Sequence, residues 1–221
     1  MPTHANQATG ILSIWNDYPE SDAAHYERWY MTEHFPERLG VPGFLRGRRY
    51  RAIDADRTYF TFYELESPNV LFSDAYIARL NDPTAWTTRS MQNWGSMFRT
   101  VCHRTARAGN AVGGYAAVAR FEGPAAISRG QAALIKEQLT DPRVVAVDLW
   151  HATATQNATT KEASQRREAD LNISAAVIVE TTCEASARAT RDKLPTLLGA
   201  DAIPSSIGLY QMIALQDARP A

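Results

Sequence analysis

The sequence predicts an α+β fold in which a β-α-β-β-α-β unit is written twice in tandem, with the two antiparallel sheets facing each other to form an α+β barrel. Three observations predict it. Stretches of period-two and helical hydrophobicity follow one another in the same order through residues 10–107 and again through 114–215. A proline just ahead of an equivalent strand recurs at a common offset, in Pro42-Gly43-Phe44 and in Pro142-Arg143-Val144. The 221 residues, 45% hydrophobic and 21% charged, suffice for a real core in two units of about 100 residues.

Gly10 to Asn16 (GILSIWN) reads as a short strand, and Ser21-Asp22 offers an N-cap to a helix running to about Arg38. Gly40-Val41-Pro42-Gly43 breaks that helix and starts a strand from Phe44 to Ile53. Asp54-Ala55-Asp56 is a turn, after which Thr58 to Glu66 (TYFTFYELE) pairs back as a hairpin rich in β-formers. Ser67-Pro68-Asn69 opens a second helix to about Leu80. An irregular Trp-rich stretch follows, then a fourth strand from Met97 to Arg107. Ala108-Gly109-Asn110-Ala111 is the natural linker between a first half, 1–108, and a second, 109–221. The second half runs as strand Gly114–Glu122, helix Ala125–Leu139, strands Val144–Thr153 and Asp170–Thr181, helix Glu184–Leu197 and strand Ile207–Leu215. Each unit makes a four-stranded sheet with both helices on one face, the ferredoxin-like arrangement. The two uncovered faces then cover each other.

The composition narrows the function. With 23 Lys+Arg against 24 Asp+Glu, the net charge is -1, and no basic excess exists to engage a nucleic-acid backbone. The opening MPTHANQATG is polar and reads as a loose lead-in, not a signal or transit peptide. No apolar run reaches the roughly 20 residues of a membrane helix. Cys102 and Cys183 are isolated, which fits buried thiols in a reducing compartment, so a cytoplasmic location is expected. Gly113-Gly114 lacks a phosphate-loop context and reads as a turn. Neither HExxH, CxxC nor a catalytic-serine motif occurs, so no metal and no cofactor are expected.

The first helix carries the strongest signal. At about 100° per residue, Ala23, Tyr26, Trp29 and Tyr30 gather in one arc, with Glu33 inside it and His34 just beyond its edge. His25, Arg28 and Thr32 point the opposite way, toward water. An acid and a histidine beside a packing face call for a pair or a pocket, because an unpaired buried charge is costly. A plainer reading is that His34 caps the helix end before Phe35-Pro36 and Glu33 pairs with an arginine. The next strand alternates Arg46, Arg48 and Tyr50 on one face with Arg49 and Arg51 on the other. One set could hold a carboxylate or enolate, or both could be solvated or helix-paired. Tyr59, Thr61 and Tyr63 share a face, as do Met97, Arg99, Val101 and His103. His103 and His151 are each either pocket-lining or satisfied core histidines. Trp86 and Trp94, within residues 81–96, either cover a pocket or simply pack. The second-half helices hold no histidine and no aromatic, which puts the site in the first half and leaves the second mainly structural.

The run Trp29-Tyr30-x-x-Glu33-His34-x-Pro36, followed by Pro42-Gly43-Phe44 and a basic strand, resembles the first-helix pattern of EthD-like members of the dimeric α+β barrel superfamily. Here both halves would come from one chain, as an internal pseudo-dimer that is monomeric or pairs as a homodimer. The resemblance implies that His34 corresponds to the family's helix histidine. It also implies a small apolar or aromatic ligand, without fixing one reaction: the family holds cofactor-independent monooxygenases, muconolactone-isomerase-like enzymes and polyketide cyclases.

Three function classes follow. The leading one is cofactor-independent acid/base chemistry of isomerase, cyclase or monooxygenase type on an apolar or aromatic substrate that can carry a carboxylate. In it His34, Glu33 and Tyr30 are catalytic and Tyr26, Trp29, Arg49, Tyr63 and His103 bind substrate. The second is a heme protein resembling chlorite dismutases, with His151 or His103 as axial ligand. The third is a binding protein without catalysis.

Overall fold

The computed structural model describes residues 8–95, 97–125, 127–128, 130–153, 160–166 and 168–218. Among them eight strands close a barrel: β1 (Gly10–Asn16), β2 (Phe44–Asp54), β3 (Tyr59–Leu65), β4 (Phe98–Ala108), β5 (Tyr115–Phe121), β6 (Val144–Ala152), β7 (Ala175–Thr181) and β8 (Ser206–Asp217). Their order around the ring is β1-β3-β2-β8-β5-β7-β6-β4, and neighbouring strands pair antiparallel. Starting from β4, the ring reads β4-β1-β3-β2 and then β8-β5-β7-β6, so one strand order occurs twice. The β2–β8 and β4–β6 ladders join the two stretches. Between β4 and β5 the chain turns at Gly109, whose φ is +88° and where a Cβ would collide with the Val145 carbonyl.

Alternation along each strand sorts side chains into layers. Ile11, Trp15, Phe60, Phe62, Phe98, Cys102, Trp150 and Tyr210 fill the barrel interior, as expected of a barrel of about eight strands. At 0% exposure inside the same barrel, Arg48 donates to Glu64 at 2.5 Å and to Glu180 at 2.7 Å. Arg104 and Arg107 extend this network to Asp148. Burial pushes the Glu64 carboxyl up, but Arg48 and Arg104 outweigh it and hold it below the usual range. The four-arginine strand is thus less open to solvent than its composition suggests. Arg48 and Arg49 are fully buried, and Arg51 is exposed. The Cys102 thiol is buried and pushed up to about 12, whereas Cys183 is only half-buried, with Arg143 beside its sulfur.

Helices cover the outside. Helix α1 (Ala23–Trp29), a π-helical turn (Tyr30–His34) and helix α2 (Phe35–Leu39) run on without a break over the first four strands. Helix α3 (Asp74–Leu80) follows a 3-10 turn, and α4 (Ala85–Gln92) lies in the Trp-rich stretch that the sequence left irregular. In the second half α5 (Gln131–Gln138) is shorter than expected; it begins after Gly130, a poor helix former. Helix α6 (Lys161–Ser164) was unanticipated, and α7 (Glu184–Leu198) falls where periodicity put it. The strand expected from Asp170 begins only at Ala175, because Leu171 bridges β4 instead. Its N–H donates to Met97 at 2.8 Å and its carbonyl accepts from Arg99 at 3.0 Å. This bridge lays a second-half segment against the first half. No helix among the described residues is long and apolar enough to cross a membrane.

Candidate functional site

The π turn sets the site. The Phe35 N–H donates to the Tyr30 carbonyl, five residues back, so one extra residue is accommodated between Trp29 and Phe35. That residue rotates everything after it. His34, which the uninterrupted phase put beyond the edge of the packing arc, is carried inward to 3% exposure, while Glu33 moves out to a half-buried position. The His34 ring lies 4.5 Å from Trp29, 5.0 Å from Tyr30 and 6.0 Å from Trp94, measured between centroids. His34 Nδ1 is buried with no hydrogen-bond partner among the described residues.

Beside His34 is a small cavity between this helix and the outer face of the first sheet. Leu12, Ile14 and Met97 form its apolar floor, and Tyr63, Tyr76 and Trp94 its aromatic walls. Arg38, Arg99, Glu162 and Arg166 supply the charges. About 20 Å³ is open to the centre of a water-sized sphere, room for roughly one water molecule. Arg38 forms a buried ion pair with Glu162 of α6. Arg99 donates to the Tyr76 hydroxyl at 2.8 Å, and Arg166 pairs with Asp170 at 2.8 Å. Burial, and then the positive charges of Arg38, Arg49 and Arg166, hold the His34 imidazole well below its usual range. At neutral pH it is therefore an uncharged base. Burial, and then Tyr30, push the Tyr63 phenol well above its usual range, and the Tyr30 and Tyr63 hydroxyls lie 3.4 Å apart.

The residues expected at the site divide clearly. His34 and Tyr63 line the cavity, and Tyr30 touches both. Glu33 does not face His34: the π turn swings it to α4, where it accepts from Thr84 at 2.5 Å and Thr87 at 2.9 Å. Tyr26 is core, hydrogen-bonded to Asn16 at 3.0 Å. Trp29 donates to Thr87 at 3.2 Å and presents its ring to His34. Arg49 lies 4.0 Å over the Tyr30 ring and pairs with Glu27, so it reaches His34 only through its field. His103 sits half-buried midway along β4, held to the Thr9 carbonyl at 2.6 Å, and does not line the cavity. His25 is not turned to water; its Nε2 accepts from the Trp86 indole at 3.2 Å and contacts Ser90.

Sequence reading missed Arg38, Arg99, Tyr76, Glu162 and Arg166 as a group. Four elements and the turn after α6 bring them together, and α6 is too short to show a period. The available signal was a cap, Thr160 accepting from the Ala163 N–H at 3.2 Å, ahead of a charged run. The residues offered for a heme axis do not fit one. His103 and His151 face each other across the outer surface of β4 and β6, half-buried, with His151 Nδ1 at 2.9 Å from the Thr105 hydroxyl. Neither lines the cavity beside His34.

No protein-family model and no curated protein matches the sequence. Solved structures match its shape. An anthrone oxidase-like protein superposes with a TM-score of 0.61 at 7% identity, over 99% of this chain and 97% of that one. A candidate monooxygenase of Fusobacterium nucleatum subsp. nucleatum gives 0.54 at 11% identity, over 97% of each chain. A candidate chlorite dismutase gives 0.53 at 12%, over 94% of this chain and 96% of that one. At such identities the likeness establishes the fold alone, a closed antiparallel α+β barrel.

Proposed function

We propose that this chain is a small-molecule enzyme of the α+β barrel type, in which His34 takes a proton from an acidic C–H or O–H of an apolar or aromatic substrate. One observation carries the reading. A buried, uncharged imidazole whose Nδ1 has no hydrogen-bond partner among the described residues stands beside a cavity lined with arginines and phenols. Burying such a polar group without a partner costs stability, and functional sites are where that cost is commonly kept. In the reaction the proton moves to His34, and the enolate or phenolate left behind is held by the guanidinium groups of Arg38, Arg99 and Arg166. Tyr63, supported by Tyr30, offers a neutral O–H donor. Return of the proton to a different carbon is isomerisation; attack of the enolate on an internal carbonyl is cyclisation. Reaction of the carbanion with dioxygen is monooxygenation, the class suggested by the fold neighbours' descriptions. The helix pattern around His34 supports an EthD-like placement. The site belongs to the first half, with α6 of the second half as one wall.

Anthrone is the substrate to try first, since one neighbour is described as anthrone oxidase-like. Its oxidation consumes one dioxygen and yields anthraquinone and water. Oxygen uptake with anthrone and related enolisable ketones should fall by about 10²-fold in His34→Gln, with the far-ultraviolet circular dichroism unchanged. Equal rates for the two proteins on a substrate the wild type turns over would refute the assignment.

A further inference from the structure

We infer that the ligand of this cavity is an anion, and that Glu162 occupies the place its carboxylate or enolate takes. The inference rests on the reading that the cavity beside His34 is the ligand site, and is independent of what His34 does there.

Charge and hydrogen bonding lead to it. Around the cavity Arg38, Arg99 and Arg166 are set against the carboxylates of Glu162 and Asp170. Buried guanidinium groups demand compensation, because each lost water of hydration must be replaced by an acceptor. That compensation is incomplete. Arg38 Nη1, Arg166 Nε and the Asp170 Oδ1 are all buried with no hydrogen-bond partner among the described residues. The Arg38 side chain is 3% exposed, so its fork can be satisfied only from within the cavity. Burial pulls the Arg166 guanidinium below its usual range against the opposing Asp170 carboxylate, and Arg99 adds to the pull. A second planar acceptor would satisfy the two guanidinium nitrogens.

Glu162 shows which acceptor fits. Its carboxylate reaches Arg38 from α6, a four-residue helix held by the Thr160 cap and by the Lys161 N–H donating to Asn81 at 3.0 Å. It is the end of an aliphatic arm placed on a guanidinium fork, with Leu12, Ile14, Met97 and Trp94 nearby. A ligand carboxylate joined to an apolar or aromatic body reproduces that arrangement, as a charge-assisted planar pair. Because the cavity admits about one water as it stands, such a ligand takes the room that the Glu162 side chain fills.

Calorimetric titration with benzoate and its neutral counterpart benzamide tests this. Replacing the competing internal carboxylate in Glu162→Gln should tighten benzoate binding about tenfold or more over wild type and leave benzamide unchanged. Arg38→Gln should abolish the gain. If Glu162→Gln does not fold, Glu162→Asp, which draws the carboxylate back by one methylene, should shift benzoate in the same direction. Benzoate affinity that is undetectable, unchanged or weaker in the Glu162 variant, or an equal gain for benzamide, would overturn the inference. The outcome is separable from that for His34. A His34→Gln protein with wild-type turnover but the predicted benzoate pattern defeats the acid–base reading and supports the anion site.

Discussion

Trp29 and His34 are five residues apart, yet their rings lie 4.5 Å between centroids with 34° between their planes. Neighbours on an α-helix are three or four residues apart. The contact therefore depends on the single π turn, which brings the imidazole under an indole and away from solvent. The same turn sends Glu33 elsewhere, so His34 is enclosed by aromatics with arginines around it. Its proton affinity in the folded state is accordingly low.

That depression has a sign in stability. The folded protein holds the His34 proton less well than the unfolded chain, whose histidine titrates near pH 6.5. The contribution is therefore fully present above about pH 6.5 and is lost as pH falls through the unfolded value toward the folded one. Urea unfolding between about pH 7 and pH 5 should show wild type losing stability more steeply than His34→Gln. A His34→Gln protein with the same slope, or a steeper one, would contradict the buried neutral imidazole.

Glu33 anchors α4 to the π turn through two hydroxyl groups. Glu33→Gln weakens both bonds and should cost about 1 kcal/mol in chemical denaturation. Turnover should change far less than in His34→Gln. A loss of turnover equal to that of His34→Gln would return Glu33 to the chemistry.

Gly47 lets the helix approach β2 closely. A Cβ built there comes 2.6 Å from the Phe35 ring Cζ and 3.2 Å from Tyr63 Cδ1. Gly47→Ala should therefore destabilise the protein by about 1–3 kcal/mol through overpacking. The displaced ring follows His34 directly in the chain, so the indole fluorescence around Trp29 and Trp94 should shift as well. A neutral effect on melting temperature would show that the helix can move away freely.

Arg48 is held inside the barrel by carboxylates from β3 and β7. Removing it in Arg48→Met leaves Glu64 only Arg104, and Glu180 only Arg107 and the Gly113 N–H, among the partners described. The expected cost is about 3–5 kcal/mol in urea denaturation, reduced when Glu180→Gln is combined with it. Full additivity of the two substitutions would argue against a shared network.

Much of the architecture was legible because strands announce themselves locally. The alternation of Tyr59, Thr61 and Tyr63 against Phe60 and Phe62 assigns faces without any knowledge of the partner strands. Tyr26, Trp29 and Tyr30 were legible for the same reason, since α1 is regular up to that point. The phase was lost at Glu33 and His34, where the π turn is fixed by packing against the sheet and carries no distinct residue code. The pairing of Arg38 with Glu162, 124 residues apart, has no local trace at all. It exists because Leu171 bridges β4 and draws the preceding segment across the first sheet.

The buried network at the barrel end is divided unevenly between the two stretches of chain. Arg48, Arg104, Arg107 and Glu64 precede the turn at Gly109, whereas Asp148 and Glu180 follow it. One side of the seam is thus rich in cations and the other wholly anionic. Two copies of the first stretch brought face to face would oppose like charges in a medium that screens them poorly, and so would two copies of the second. Each stretch is in effect addressed to the other, so exchange between neighbouring chains during folding would be tolerated only between unlike parts.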